Sequence, residues 1–368
     1  MSVLKFLLLP FAMLYDVVMG IRNRLYDMKL KPSTSFDIPV IGVGNLAVGG
    51  TGKTPMTEYL IRLLSLHYKV VTLSRGYGRK TKGVRIAGVH DNASTLGDEP
   101  YQIYKKFSPT VSVSVGEERA LAIAMILQEL EQTDVIVMDD AFQHRSVTPG
   151  LSILLTEYHR PFFSDHVLPY GRLREGPEGA NRADAIVVTK CPDHLEEEEM
   201  MGMEHAIRKH SLKPIFFSKI RYGEPVPFGD SAKKFSSRVV LLTGIANPNT
   251  LEEYVKKYFI LVKHFSFRDH YVFKASDLHD VEHLLHKKGV EISILTTEKD
   301  KVKLERDELK PFISRLPIFY LPIETEFLRN GKDFDALITS FMNSFKPATL
   351  PTPKESFGPA GRRQAGHE

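Results

Sequence analysis

Residues 38–55 read Ile38-Pro-Val-Ile-Gly-Val-Gly-Asn-Leu-Ala-Val-Gly-Gly-Thr-Gly-Lys-Thr-Pro55. Ile38 to Val43 is an apolar run of the kind a buried strand needs, and it breaks into glycines. Gly52-Lys53-Thr54 closes the run, and Met56, Tyr59, Leu60, Leu63 and Leu64 then follow at helical spacing. Strand, glycine-rich loop and helix in that order are the context in which Gly-Lys-Thr reads as a phosphate-binding loop. Glycines let successive N–H groups point inward at phosphate oxygens, and the new helix adds its free N–H groups and positive dipole end. Ala47, Val48, Gly49, Gly50, Thr51, Gly52, Lys53 and Thr54 are the candidate phosphate cradle. Lys53 would reach the β- and γ-phosphates, and the Thr54 hydroxyl would face Mg²⁺. The usual spacing puts a glycine where Ala47 stands, with Gly44, Gly49 and Gly50 around it. The alternative is a glycine-rich turn that holds nothing.

Outward from this loop, apolar strand patterns and amphipathic helix patterns alternate along most of the chain, which predicts an α/β fold with a mostly parallel sheet covered by helices on both faces. Residues 32–225 are expected to form a kinase-type nucleotide-binding core. A polar stretch precedes a second run of βα alternation, so 226–345 is expected to form a smaller α/β domain. Residues 346–368, rich in Pro, Gly, Thr and Arg, offer little to bury and are expected to be disordered.

The 368 residues are 42% hydrophobic and 26% charged, with a formal net charge of +4. This is a globular composition, mildly basic, and not a nucleic-acid signature. The single cysteine, Cys191, excludes an intrachain disulfide and a cysteine-based zinc site, and fits a reducing compartment.

Val3 to Ile21 is nearly continuous apolar sequence, interrupted by Lys5, Pro10, Asp16 and Gly20 and followed by Arg22, Arg24, Lys29 and Lys31. Pro10 and Asp16 argue against a spanning helix. A helix over 1–31 lying in the membrane interface, with basic residues meeting anionic head groups, is the preferred reading. Packing on the protein's own core and a cleaved signal peptide are the alternatives.

Sites in parallel sheets collect at the carboxyl ends of the strands. There the chain would place Arg75 to Arg79, Asp98 with Glu99, Asp139 with Asp140, Lys190, and Lys299 with Asp300. Asp139 and Asp140 end a Val-Ile-Val-Met strand as the carboxylates of a Walker B element do, and carboxylate oxygens suit Mg²⁺. Phosphoryl transfer to an alcohol also needs a group to take the hydroxyl proton. Asp98 is a candidate base, against the alternative that it caps the helix read over Tyr101 to Phe107. His270 is a candidate partner, one of 14 histidines. Thr189-Lys190-Cys-Pro-Asp193 departs from the guanine-reading Asn-Lys-x-Asp pattern, so ATP is the expected nucleotide.

Together, Gly44-Asn45 to Gly49-Gly50-Thr51-Gly52-Lys53-Thr54-Pro55, Ser74-Arg75-Gly76-Tyr77-Gly78, Gly97-Asp98-Glu99-Pro100, Asp139-Asp140-Ala-Phe-Gln143-His144, Leu173-Arg174-Glu175, Phe267-Arg-Asp269-His270 and Thr297-Glu298-Lys299-Asp300 resemble the tetraacyldisaccharide 4'-kinase (lipid A 4'-kinase) family. The resemblance runs from the apolar N-terminus to about residue 345. Ala47 is no departure, since that family's loop is atypical there, but Gly176 intervenes where the family places Pro directly after Arg-Glu. The resemblance implies a peripheral, monotopic kinase on the cytoplasmic face of the inner membrane of Gram-negative bacteria. It would move the γ-phosphate of ATP, with Mg²⁺, to the 4'-hydroxyl of a tetraacylated glucosamine disaccharide 1-phosphate. It also implies Asp98 as base paired with His270, Arg174 near the transferring phosphate with Lys53, and Thr54, Asp139, Asp140, Gln143 and Glu175 around the metal. Neither a nucleic acid nor an obligate protein partner is indicated. The competing reading is a membrane-associated P-loop ATPase or GTPase switch with no small-molecule acceptor.

Overall fold

Val40, Ile41 and Val43 are almost wholly buried because their strand lies at the centre of a nine-stranded sheet and is covered on both faces. The computed structural model describes residues 7–229, 234–288 and 291–345. The tail from Lys346 to Glu368, expected to be disordered, lies outside the described residues.

The first half of the chain comprises helix α1 (Leu9–Asp27), β1 (Val40–Asn45), α2 (Lys53–Leu64), β2 (Val70–Ser74), β3 (Arg85–Ile86), a single turn α3 (Ala93–Leu96), α4 (Asp98–Phe107), β4 (Ser112–Val115), α5 (Arg119–Glu129), β5 (Val135–Asp139) and β6 (Leu151–Glu157). It continues through β7 (Ala185–Thr189), α6 (Glu197–Arg208), β8 (Ile215–Tyr222), β9 (Val226–Pro227), β10 (Arg238–Thr243), α7 (Asn249–Tyr258), β11 (Ile260–Ser266) and α8 (Ala275–Lys288). The last elements are β12 (Ser293–Thr297), α9 (Glu298–Leu304), α10 (Lys310–Arg315), β13 (Ile318–Leu321), β14 (Ile323–Arg329) and α11 (Gly331–Ser344).

The large sheet has the order β14-β8-β7-β6-β1-β5-β2-β4-β3, and a second sheet has the order β11-β10-β12-β13-β9. Pairings between neighbours from β8 to β4 are parallel; β14 and β3 add antiparallel edges. Side-chain alternation along β1 serves two cores. Ile41 and Val43 meet Met56, Leu60 and Ile61 of α2 and Phe334 and Ile338 of α11. Val40 faces the other way, toward Ile123 and Ile126 of α5. Truncating such a side chain to alanine costs about 2–5 kcal/mol. The expected α/β architecture with helices on both faces is therefore present.

The extent of the smaller domain is corrected. β13 stays in the small sheet, but β14 crosses back to pair antiparallel with β8. The small lobe thus does not extend to residue 345, because β14 and α11 pack on the large sheet. Its two connections run side by side, with the Gly223 amide donating to Pro322 O at 2.8 Å. Glu-Thr-Glu in β14 disguised an edge strand, which needs apolar residues on one face only.

The N-terminal helix runs to Asp27, past the apolar stretch. Its inward face carries Ala12, Tyr15, Arg22 and Asn23, and the last three hydrogen-bond the body of the protein. Its apolar residues face out: Phe11 is 64% exposed and Val17 58%. Among the described residues, no helix is long and apolar enough to cross a membrane.

Candidate active site

Asn45 ends β1 and anchors the loop after it: its side-chain amide donates to Thr51 Oγ1 at 2.8 Å and its Oδ1 accepts from Lys53 Nζ at 3.4 Å. Gly52 adopts φ +86 before α2, a left-handed conformation that favours glycine, and lies against Thr189. That threonine, at the end of β7, donates to Thr51 O at 2.8 Å, and Lys190 donates to Gly50 O while pairing with Glu157. Lys190, which the sequence left as a failed guanine motif, is a brace under the loop. The front of the loop is stitched to residues 172–174: Ala47 bridges Leu173, the Val48 amide donates to Arg172 O at 2.8 Å, and Arg174 N donates to Leu46 O. The expectation that Val48 holds phosphate is thereby corrected for its N–H, which is committed inside the protein. Thr54 is the second residue of α2, at the inner end of the loop.

Asp139 and Asp140 leave β5, which is paired directly with β1. Asp140 has φ +52 and accepts from Lys53 at 3.4 Å and from Arg174 Nη1 at 3.0 Å. Burial opposes its ionisation, but Lys53 and Arg174 prevail and hold its carboxyl down at about 2. Burial pushes neighbouring Asp139 up to about 6, with Lys53 countering and Asp140 adding repulsion. Gln143 gathers the remaining residues: its amide donates to Asn45 O at 2.9 Å and Glu175 Oε1 at 3.0 Å, and its Oε1 accepts from Arg174 at 3.2 Å. Glu175 is 1% exposed, and its Oε2 is taken by Asn23 at 2.6 Å and Arg182 at 2.9 Å. The end of α1 is therefore built into this site.

Asp98 is not the helix cap. Gly97 occupies that position with φ +96, where a Cβ would strike Tyr77 O, and α4 starts three residues earlier than the sequence suggested. The Asp98 carboxylate is thus left free to meet His270, whose Nδ1 lies 3.2 Å from Asp98 Oδ2. His270 itself has φ +54 and meets the Tyr77 ring at a tilt of 55°, with ring centroids 5.1 Å apart. The hydrogen bond to Asp98 outweighs burial and raises the imidazole pKa above its ordinary value. Glu99 acts electrostatically on Asp139, so the first turn of α4 belongs to the same electrostatic neighbourhood.

Two site features escaped the sequence reading. Arg119, the first residue of α5, is 0% exposed, and its Nε and Nη2 have no hydrogen-bond partner. Burial pulls it down to about 10 while Asp139 and Asp140 act in the opposite sense. A cation at a helix N-terminus opposes the dipole, and that was the available signal. His144 is held down at about 4 by burial and then by Arg119. The basic loop Arg75 to Arg79 is less available than expected, because the Arg79 side chain pairs with Glu117 and Gly83 O.

Lys53, Asp139, Asp140, Gln143, Arg174 and Glu175 thus form one cluster, with Asp98 and His270 joined on the side of the small lobe. Among the described residues, no group of three or more His, Cys, Asp or Glu forms a ready-made metal cage. Two adjacent carboxylates beside a phosphate-type loop are instead the donor set of an ion that keeps several waters and shares a nucleotide's oxygens, as Mg²⁺ does.

A model of the tetraacyldisaccharide-1-P 4'-kinase family matches residues 4–343. Relatives include the tetraacyldisaccharide 4'-kinases of Flavobacterium johnsoniae, 42% identical over 93% of this chain and 98% of that protein, and of Bacteroides thetaiotaomicron, 42% identical over 89% and 90%. Among solved structures, LpxK from Aquifex aeolicus in complex with ATP is similar, with a TM-score of 0.70 at 29% identity, covering 92% of this chain and 99% of that one. The chain belongs to the tetraacyldisaccharide-1-P 4'-kinase family.

Proposed function

We propose that this protein transfers the γ-phosphoryl group of ATP to the 4'-hydroxyl of a tetraacylated glucosamine disaccharide 1-phosphate, a step of lipid A biosynthesis. Family membership over nearly the whole chain is the observation that carries the reading. The site supports it, because a switch that only hydrolyses nucleotide has no evident use for a base and its orienting histidine on a second lobe.

In this reading the Gly49-to-Thr54 loop and Lys53 hold the phosphates, and Arg174 faces the transferring group. Asp98 takes the proton of the 4'-hydroxyl as its oxygen bonds to phosphorus and the bond to ADP breaks. The ionised carboxylate can only accept, so His270 donates Nδ1–H to one oxygen and keeps the carboxylate oriented. Asp139, Asp140 and the Thr54 hydroxyl would hold Mg²⁺, with Gln143 and Glu175 behind them. The ion would supply charge neutralisation at the phosphates. Arg119 is a further buried cation coupled electrostatically to the two aspartates.

The acylated acceptor stays in a bilayer, so the enzyme must work at its surface. The outward apolar face of α1 suits a helix lying in the interface of the inner membrane's cytoplasmic leaflet. The test is thin-layer analysis of radiolabelled product from ATP and purified disaccharide 1-phosphate. A labelled lipid that disappears with Asp98→Ala supports the reading; acceptor-independent phosphate release alone would favour the switch.

A further inference from the structure

Glu298 and Lys299 open α9 on the small lobe, and both reach across to α4. Glu298 receives Lys106, at 2.8 Å and 3.0 Å, and the same ammonium lies 2.8 Å from Glu58 on α2. Lys299 Nζ lies 2.9 Å from Glu99 Oε1, 3.1 Å from Asp269 Oδ1 and 3.5 Å from His270 Nε2. Glu99 follows Asp98, and Asp269 precedes His270. One ammonium therefore ties together the chain neighbours of both members of the Asp98–His270 pair, from opposite lobes. Its own base is firm: Asp300 is fully buried, accepts from Gly244 N at 3.0 Å and pairs with Lys303 at 2.7 Å. Asp269 Oδ1 also accepts the His270 amide at 3.0 Å, bracing a residue in the left-handed region.

We propose that Lys299 is a positioning residue for phosphoryl transfer: held between Glu99 and Asp269, it seats His270 against Asp98 across the two lobes. The inference rests on the kinase reading for its catalytic consequence, but the seating itself does not depend on the acceptor. A flexible four-carbon ammonium would be a poor hinge pin alone; three partners within hydrogen-bond range remove that freedom. The groups facing His270 are Asp98 and Glu99 on α4, Tyr77 from the loop after β2, its own neighbour Asp269, and Lys299 on α9. Lys299 and the carboxylates act on the imidazole in opposite senses. Loss of the Lys299 charge alone would raise the imidazole, whereas loss of the Asp98 contact, the largest raising influence, would lower it.

The test uses the full chain carrying K299M or K299R, each in the wild-type and H270Q backgrounds. Steady-state rates are measured with ATP and the disaccharide 1-phosphate, and His270 is titrated by nitrogen-detected NMR, its signal assigned by loss in H270Q. K299M should lower kcat by about 10²-fold, the scale of a slightly misplaced catalytic group, with KM for ATP little changed. In the H270Q background the same change should cost no more than about twofold, because the two residues act as one unit. K299R should restore most of the rate, and His270 should titrate lower in K299M, because an unseated imidazole gives up its hydrogen bond to Asp98. Equal losses in both backgrounds, or a His270 titration that is unmoved or raised in the folded variant, would overturn the proposal. If K299M does not fold, E99Q loosens the same clamp from α4 and must show the same non-additivity with H270Q; additive losses would refute it. If wild-type protein phosphorylates no disaccharide, the kinase reading falls, and the titration still decides whether Lys299 seats His270.

Discussion

Asp98 Oδ2 lies 3.2 Å from His270 Nδ1, although 172 residues separate the two in the chain. The contact joins the first turn of α4, at the large sheet, to the turn after β11 of the small one. Neither residue is used up by local structure, since Gly97 takes the capping position and His270 sits in a left-handed turn. Asp98→Asn keeps the shape and removes the base. Turnover should fall by about 10²–10⁴-fold, the usual worth of general base catalysis, with ATP affinity retained. Equilibrium ATP binding beside steady-state kinetics decides it; a parallel loss of binding would remove Asp98 as base.

The raised pKa of His270 makes part of the protein's stability pH-dependent. Asp98 favours the imidazolium in the folded state, so the contribution is fully present below the unfolded value of about 6.5 and is lost as pH rises through the higher folded value. The gap in melting temperature between wild type and H270Q should therefore be widest near about pH 5.5 and shrink toward about pH 9. A gap that widens with pH contradicts the ion pair.

Arg119 should separate stability from activity. It is fully buried with two guanidinium nitrogens unpartnered, and such atoms cost about 1–3 kcal/mol each when left unsatisfied. Arg119→Met should leave the unfolding temperature unchanged or raised, while phosphoryl transfer drops by about 10²-fold or more. Lower stability with full activity would assign Arg119 to the fold instead.

Membrane contact by α1 is best tested without deleting it. Removal of residues 1–31 would also take away Tyr15, Arg22 and Asn23, which hydrogen-bond Arg174 O, Gln143 O and Glu175. Phe11, Leu14 and Val18 are exposed, so replacing all three by Gln should spare the fold and the site. Binding to vesicles containing anionic lipid should weaken by about 10²-fold or more, given about 1.5–3 kcal/mol for each side chain fully buried. Unchanged flotation would leave the outward apolar face without a membrane role.

How much of the site is legible in the sequence follows from how local each feature is. The Gly49-to-Thr54 loop and the Asp139-Asp140 strand end are visible because backbone geometry and strand pattern are written in consecutive residues. From its own residues Asp98 is divided between cap and base, since both need a carboxylate at a helix start; the family resemblance favours the base, and the placement of Gly97 shows that the capping position is taken. Arg119 passed unnoticed because its isolation is a property of what surrounds it. Lys299 was visible as a strand-end lysine, but its three partners were not.

The sequence by itself determined the α/β architecture, the phosphate loop and the paired aspartates, and it named the set of motifs that together resemble one kinase family. All of these depend on periodicities and contacts within a few residues. Tertiary structure decided that β14 returns to the large sheet, and that α1 turns its polar face to Glu175 and its apolar face outward. It also decided that His270 meets Asp98 with Lys299 behind both. Those outcomes depend on which surfaces of distant elements meet, and hydrophobic patterning sets only that a face is buried, not what lies against it.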